Sequence, residues 1–235
     1  MALIQVALVL EAISISIQAV VIFFLLRSSS FRRYPLLLAY CALQLAATVT
    51  EEYVYRVHGQ TDFFRTLYWT DEMTLDLLVV LMVITLTYRA LEGSPMRAGM
   101  GRLLGAVLII VLVVPFVLFS ARRFSRAWFD GTSQLLNFGG AIMNLGLWTA
   151  LIANKKRDPL LLKVSAGLGV AVTGAAIAFG LRRYAPPQST PQQLANVFKT
   201  LTYLASVSIW CWAFRPTARK NSTPPAGVST SSVQS

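Results

Sequence analysis

Seven stretches of about 20 mostly apolar residues, separated by short basic or polar connections, constrain this chain more than any motif in it. They run approximately over 3–26, 35–55, 72–88, 103–120, 132–153, 161–181 and 193–214. About 20 apolar residues in helical geometry match the hydrocarbon thickness of a bilayer. Inside that layer every backbone N–H and C=O must be satisfied within the protein, so runs of this length read as helices. The expected fold is all-α: a polytopic cell-membrane protein, a seven-transmembrane-helix bundle, multi-pass, over residues 1–216.

Composition agrees. Of 235 residues, 55% are hydrophobic and 13% charged, too little polar residue to cover a soluble surface of this size. The net charge of +11 would suggest nucleic acid in a soluble chain. Here the basic residues fall in clusters between apolar runs, the pattern that sets membrane topology, so no nucleic-acid partner is expected and the lipid bilayer is the first partner. Cys41 and Cys211 lie inside apolar runs and read as small buried hydrophobes, not a disulfide or metal site.

No internal repeat of 20 to 50 residues is evident. Residues 217–235, TARKNSTPPAGVSTSSVQS, read as a disordered cytoplasmic tail. The first run lacks a basic region before it and carries Glu11, so it reads as a helix and not as a signal peptide. The third has the least certain start, because Asp71, Glu72 and Asp76 crowd its first turn, where acidic residues suit a helix N-terminus. Most Lys and Arg fall on one side if the N-terminus is outside and the C-terminus cytoplasmic: Arg27, Arg32 and Arg33; Arg89, Arg97 and Arg102; Lys155, Lys156, Arg157 and Lys163; Arg215, Arg219 and Lys220. Arg122, Arg123 and Arg126 run against that bias.

Polar residues within the spans are the costly ones, at least about 2.5 kcal/mol for an ionised group on insertion scales. They form stripes at helical spacing: Glu11, Ser14 and Gln18 in the first span; Gln44, Thr48, Glu51 or Glu52, and Tyr55 in the second; Gln134, Asn137 and Asn144 in the fifth; Asn196, Lys199, Thr200, Tyr203 and Ser206 in the seventh. At about 1.5 Å per residue, Glu11, Glu51, Asp76 and Lys199 lie at similar levels in the outer half of the bundle. A small polar cavity open to the outside is therefore expected from Glu11, Gln18, Glu51, Glu52, Asp76, Asn137, Asn196, Lys199 and Tyr203. Glu11 and Lys199 are expected to pair across adjacent first and last helices. The alternative is that these stripes are interhelical hydrogen-bond contacts.

Glu51-Glu52 with Arg56 resembles the first motif of the CAAX-type intramembrane glutamic proteases, over six residues. Membership would imply two histidines on separate helices that help a glutamate activate water. The chain has one histidine, His58, and no Phe-x-x-x-His follows, so no catalytic residues are assigned. No histidine lies in a span to ligate haem, and no Walker lysine follows the glycines of the sixth span, which suit close helix packing. Lys199 and Asp76 are the residue types of a Schiff base and its counterion, yet Phe179 is the only aromatic residue in the sixth span. No cofactor and no metal is expected.

The chain thus reads as a non-enzyme, receptor-like or sensory membrane protein with a small polar or cationic ligand. In layout it resembles the seven-helix input modules of bacterial signalling proteins. Without an output domain among these residues, a signal would pass to a cytoplasmic or membrane protein partner. The alternatives are a secondary transporter or channel-like protein using Glu11 and Lys199, or a structural subunit of a membrane complex.

Overall fold

The computed structural model describes residues 2–28, 30–59, 61–92, 97–118, 125–153, 158–186 and 189–216. The side chains of 2–8, 11, 97–98, 111, 115–116, 118, 126–127 and 153 lie outside the description. So do the tail 217–235 and the loop residues Arg122, Arg123, Lys155, Lys156 and Arg157.

The described residues are almost all helical, without a strand among them. Among the described residues seven α-helices follow one another: α1 Ala2–Arg27, α2 Pro35–His58, α3 Asp62–Ala90, α4 Arg97–Leu118, α5 Arg126–Ala153, α6 Pro159–Tyr184 and α7 Thr190–Phe214. Among the described residues, four regions are long and apolar enough to cross a membrane: Asp62–Ala90, Trp128–Ile152, Pro159–Tyr184 and Thr190–Phe214. This is the architecture of a membrane protein.

Local chemistry sets the helix ends. Pro35, Pro159 and Pro191 sit in the first turns of α2, α6 and α7, where the missing N–H costs nothing. Asp158 caps α6, its Oδ1 accepting from the Leu160 and Leu161 amides at 3.0 and 3.3 Å. Gly59 ends α2 at φ +66°, a conformation open to glycine. Thr61 then caps α3, its hydroxyl accepting from the Phe64 amide at 3.3 Å.

That cap corrects one expectation. The third helix begins ten residues before the expected start at 72, because Thr61 and Asp62 supply a proper N-terminus ahead of the aromatic segment. Glu72 and Asp76 are therefore well inside α3 and not in its first turn.

Helix order in space is a closed ring, α1–α2–α3–α5–α6–α7 and back to α1, with α3 also reaching α6. The first and last helices do meet. Helix α4 packs outside the ring, against α5 and to a lesser degree α3.

Half of the ring interior is filled. Val21, Leu25, Leu37, Val80, Val83, Leu147, Leu168 and Val207 are essentially inaccessible, with Trp210 among them. The Trp210 indole N–H donates to the Val164 carbonyl at 3.0 Å, and its ring meets Tyr40 edge-on at 5.9 Å. Glycines in α6 make this closeness possible. A Cβ on Gly167 would fall 2.5 Å from the Trp210 Nε1, and one on Gly174 would collide with the Thr202 side chain of α7.

The end of the ring beyond this layer is tied by charge. Arg33 pairs with Asp158 at 2.5 Å, Arg89 donates to the Arg33 carbonyl, and both guanidiniums lie over the Tyr34 ring at 5.8 and 5.5 Å. Tyr34 itself packs edge-on against Phe214 at 5.7 Å. The α1–α2 connection, the end of α3 and the starts of α2 and α6 are thus fastened together.

Candidate functional site

Above the apolar layer the ring is hollow. A cavity of about 500 Å³ lies between α1, α2, α3, α5, α6 and α7. Its upper lining is Glu51, Phe64 and Asn196, each within two turns of the α2–α3 or α6–α7 connections; its lower lining is Gln18, Val79 and Val172.

Helical periodicity delivers the lining. Ser14 and Gln18 face it from α1, and Tyr40, Gln44, Thr48 and Glu51 from α2. From α3 come Phe64, Tyr68, Glu72, Asp76 and Val79; from α7, Asn196, Lys199, Thr200 and Tyr203. Asn137 of α5 and Ala175 and Arg182 of α6 complete it. Spacings of three or four residues put each set on one stripe. The neighbouring apolar stripes pack against adjacent helices or face outward.

Charges in this lining are largely matched. Lys199 on α7 forms an ion pair with Glu72 on α3, and its ammonium lies 4.8 Å from the Phe179 ring centroid. Arg182 donates to the Tyr68 hydroxyl at 3.2 Å and faces Asp130 at 3.8 Å, both side chains almost fully buried. Its guanidinium also lies over Trp69 and Phe179, with Trp69 stacked on Phe129 behind it. Asp76 differs. Its Oδ1 accepts from the Asn137 amide at 2.6 Å, and that amide also donates to the Ser133 carbonyl at 2.9 Å. The Asp76 Oδ2 is buried and accepts no hydrogen bond among the described residues.

Seven of the nine expected site residues line this one cavity: Gln18, Glu51, Asp76, Asn137, Asn196, Lys199 and Tyr203. Gln18 also donates to the Cys41 carbonyl at 2.5 Å, tying α1 to α2. Glu52 is not among the lining residues. It is exposed and pairs along its own helix with Arg56 at 2.6 Å, one position round from Glu51. The Glu11 side chain lies outside the described residues, and the partner found for Lys199 is Glu72.

Four polar contributors are neither among the expected site residues nor on the expected polar stripes: Tyr40, Tyr68, Glu72 and Arg182. Phe64, Tyr68, Glu72 and Asp76 recur every fourth residue, a helical signal that begins ahead of the apolar run at 72–88. Arg182 stands one residue beyond the expected sixth span, 161–181. Only the continuation of α6 to Tyr184 brings it inside.

The lining can hold a polar molecule by carboxylate, hydroxyl and amide groups while its aromatic residues shield it from lipid. Among the described residues no three His, Cys, Asp or Glu side chains are placed to share a metal ion. Comparison with family models, curated proteins and solved structures finds no match.

Proposed function

We propose that this chain is a receptor-like, multi-pass protein of the cell membrane that binds a small polar ligand in the cavity between α1, α2, α3, α5, α6 and α7. All seven helices span, the N-terminus lies outside, and the cavity opens outward. The observation that carries the reading is the division of the ring into two halves. A cavity of about 500 Å³ lined with ionised groups sits above a close-packed apolar layer. Buried charge of this kind is costly in a membrane and is retained where it serves binding or conduction. The packed layer around Trp210 leaves binding as the better fit, since a conduit would need polar lining through both halves. Occupancy would then be passed on through movements of α3 and α7, which Lys199 and Glu72 join, to a separate protein partner.

The test is a thermal-shift screen of the full chain in detergent against small hydrophilic amines, amino acids, polyols and organic acids. At least one class should stabilise the wild type saturably and leave Ala175→Phe, whose ring fills the cavity, unshifted. Protein-dependent uptake of the same compound into proteoliposomes would replace the receptor reading with transport. Stabilisation by none of the classes would remove the ligand-binding reading altogether.

A further inference from the structure

We propose that the ligand is a small organic cation, a primary or secondary ammonium, and that its charge is received by the Asp76 carboxylate. This rests on the reading of the cavity as a ligand site and adds the chemical class.

Charge bookkeeping around the cavity singles out Asp76. Lys199 is answered by Glu72, and Arg182 by Asp130. Asp76, only 6% exposed, has a neutral partner in Asn137, bonded to one of its two oxygens. Its other oxygen is buried and meets no hydrogen bond among the described residues; the Ser133 hydroxyl, also neutral, lies close to the same carboxylate, and the residue lines the cavity. A buried carboxylate left half-solvated is expensive, and a positively charged donor in the cavity relieves that cost by both charge and hydrogen bonding. A neutral donor would supply only the second. An anion would have to compete with Glu72 for Lys199 and with Asp130 for Arg182, so the opposite charge class is disfavoured.

A second feature is compatible with that class and leaves the choice of charge to Asp76 and the aromatic lining. Tyr203 lines the same cavity, and its buried hydroxyl has no hydrogen-bond partner among the described residues, so a small movement of the ring would let it accept an ammonium N–H. Tyr40, Phe64 and Tyr68 add aromatic lining. Aromatic rings stabilise a desolvated cation within about 6 Å of their centroids, which an anion cannot exploit. About 500 Å³ accommodates a molecule of metabolite size.

The experiment uses two hydrophilic probes that differ in one group, 4-aminobutan-1-ol and 1,4-butanediol, with the full-length protein in detergent. Binding is read by thermal shift and by isothermal titration. The amine should bind saturably and the diol at least about tenfold more weakly. Asp76→Asn should weaken amine binding by about tenfold or more, while Asp76→Glu, which keeps the charge, should retain most of it. Tyr203→Phe should weaken the amine less than Asp76→Asn and remain folded by circular dichroism, guarding against a trivial loss. Equal affinity for the two probes, in wild type and Asp76→Asn alike, would overturn the ammonium assignment while leaving the cavity as a ligand site. Amine binding that survives both Asp76→Asn and Ala175→Phe would place the amine elsewhere and overturn it as well. Absence of binding by the amine up to its solubility limit, with the wild type folded, overturns it outright.

Discussion

Lys199 on α7 and Glu72 on α3 are paired across the interior of the helix ring, with side chains 29% and 13% exposed. Two non-adjacent helices of the ring are thereby joined through the cavity wall. Removing one partner leaves the other charge enclosed, which costs about 3 to 5 kcal/mol when the pair is fully dry and less where a cavity admits water. Lys199→Met or Glu72→Leu alone should lower the melting temperature in detergent by several degrees. The double variant should recover most of that loss, because two apolar groups need no partner. Additive losses in the double variant, measured by the same melting assay, would show that the two side chains act independently.

The contact between Gly174 of α6 and Thr202 of α7 sets how closely those helices approach. The Thr202 hydroxyl bonds back to the Phe198 and Lys199 carbonyls at 3.1 and 2.9 Å, so the side chain cannot swing away. Gly174→Ala should therefore destabilise by about 1 to 3 kcal/mol through overpacking. Gly146, on α5, has open space where its Cβ would stand. Gly146→Ala should be neutral or stabilising by up to about 1 kcal/mol, since alanine is the better helix former. Equal losses for the two alanines in chemical unfolding would mean that neither reflects a close contact.

Much of this architecture is legible in the sequence for a simple reason. The apolar runs and their polar stripes report burial, and burial is what fixes a helix in a membrane. Gln18, Asn137, Lys199 and Tyr203 are legible by periodicity and Asp76 by its level in the bundle, because each costs too much in lipid to face outward. Glu51 and Glu52 could not be separated that way. Adjacent helical positions are about 100° apart, and only the packing of α2 decides that Glu51 borders the cavity while Glu52 meets Arg56. Glu72 was hidden for a different reason: hydropathy marks where a helix becomes apolar, whereas α3 begins at its Thr61 cap, three turns earlier. The exclusion of α4 from the ring is a tertiary outcome with no local signature.

Tyr34 gives a test of the closed end. Its hydroxyl is buried without a partner among the described residues, and its pKa is pushed up to about 12, mainly by burial and further by Asp158, with Arg33 and Arg89 opposing. A raised folded-state pKa means that the folded protein holds the proton more tightly than the unfolded chain, whose tyrosine titrates near about 10. The associated stability is intact below about pH 10 and is lost as pH rises towards 12. Tyr34→Phe removes the titration and no hydrogen bond. Its melting temperature should match wild type at pH 8 and fall less steeply above pH 10; parallel curves across that range would contradict the buried phenol.

Orientation is open to a direct test. At the closed end the structure gathers Arg33, Arg89 and Asp158, and Lys163 stands 3.8 Å from the Trp212 ring centroid with Arg215 over the same ring at 5.7 Å. Lys and Arg near span ends are retained on the cytoplasmic side, so this basic end should face the cytoplasm and the cavity should open outward. The two faces differ in chemistry as well as charge. The cavity end carries the Glu52–Arg56 and Asp62–Arg65 pairs. A reporter active only in the cytoplasm should be active when fused after Lys220 and silent when inserted between Gly59 and Thr61. Arg33→Gln combined with Arg89→Gln should weaken that asymmetry, since it removes two of the retained charges. A reporter active at Gly59 and silent after Lys220 would invert the topology and place the cavity mouth in the cytoplasm.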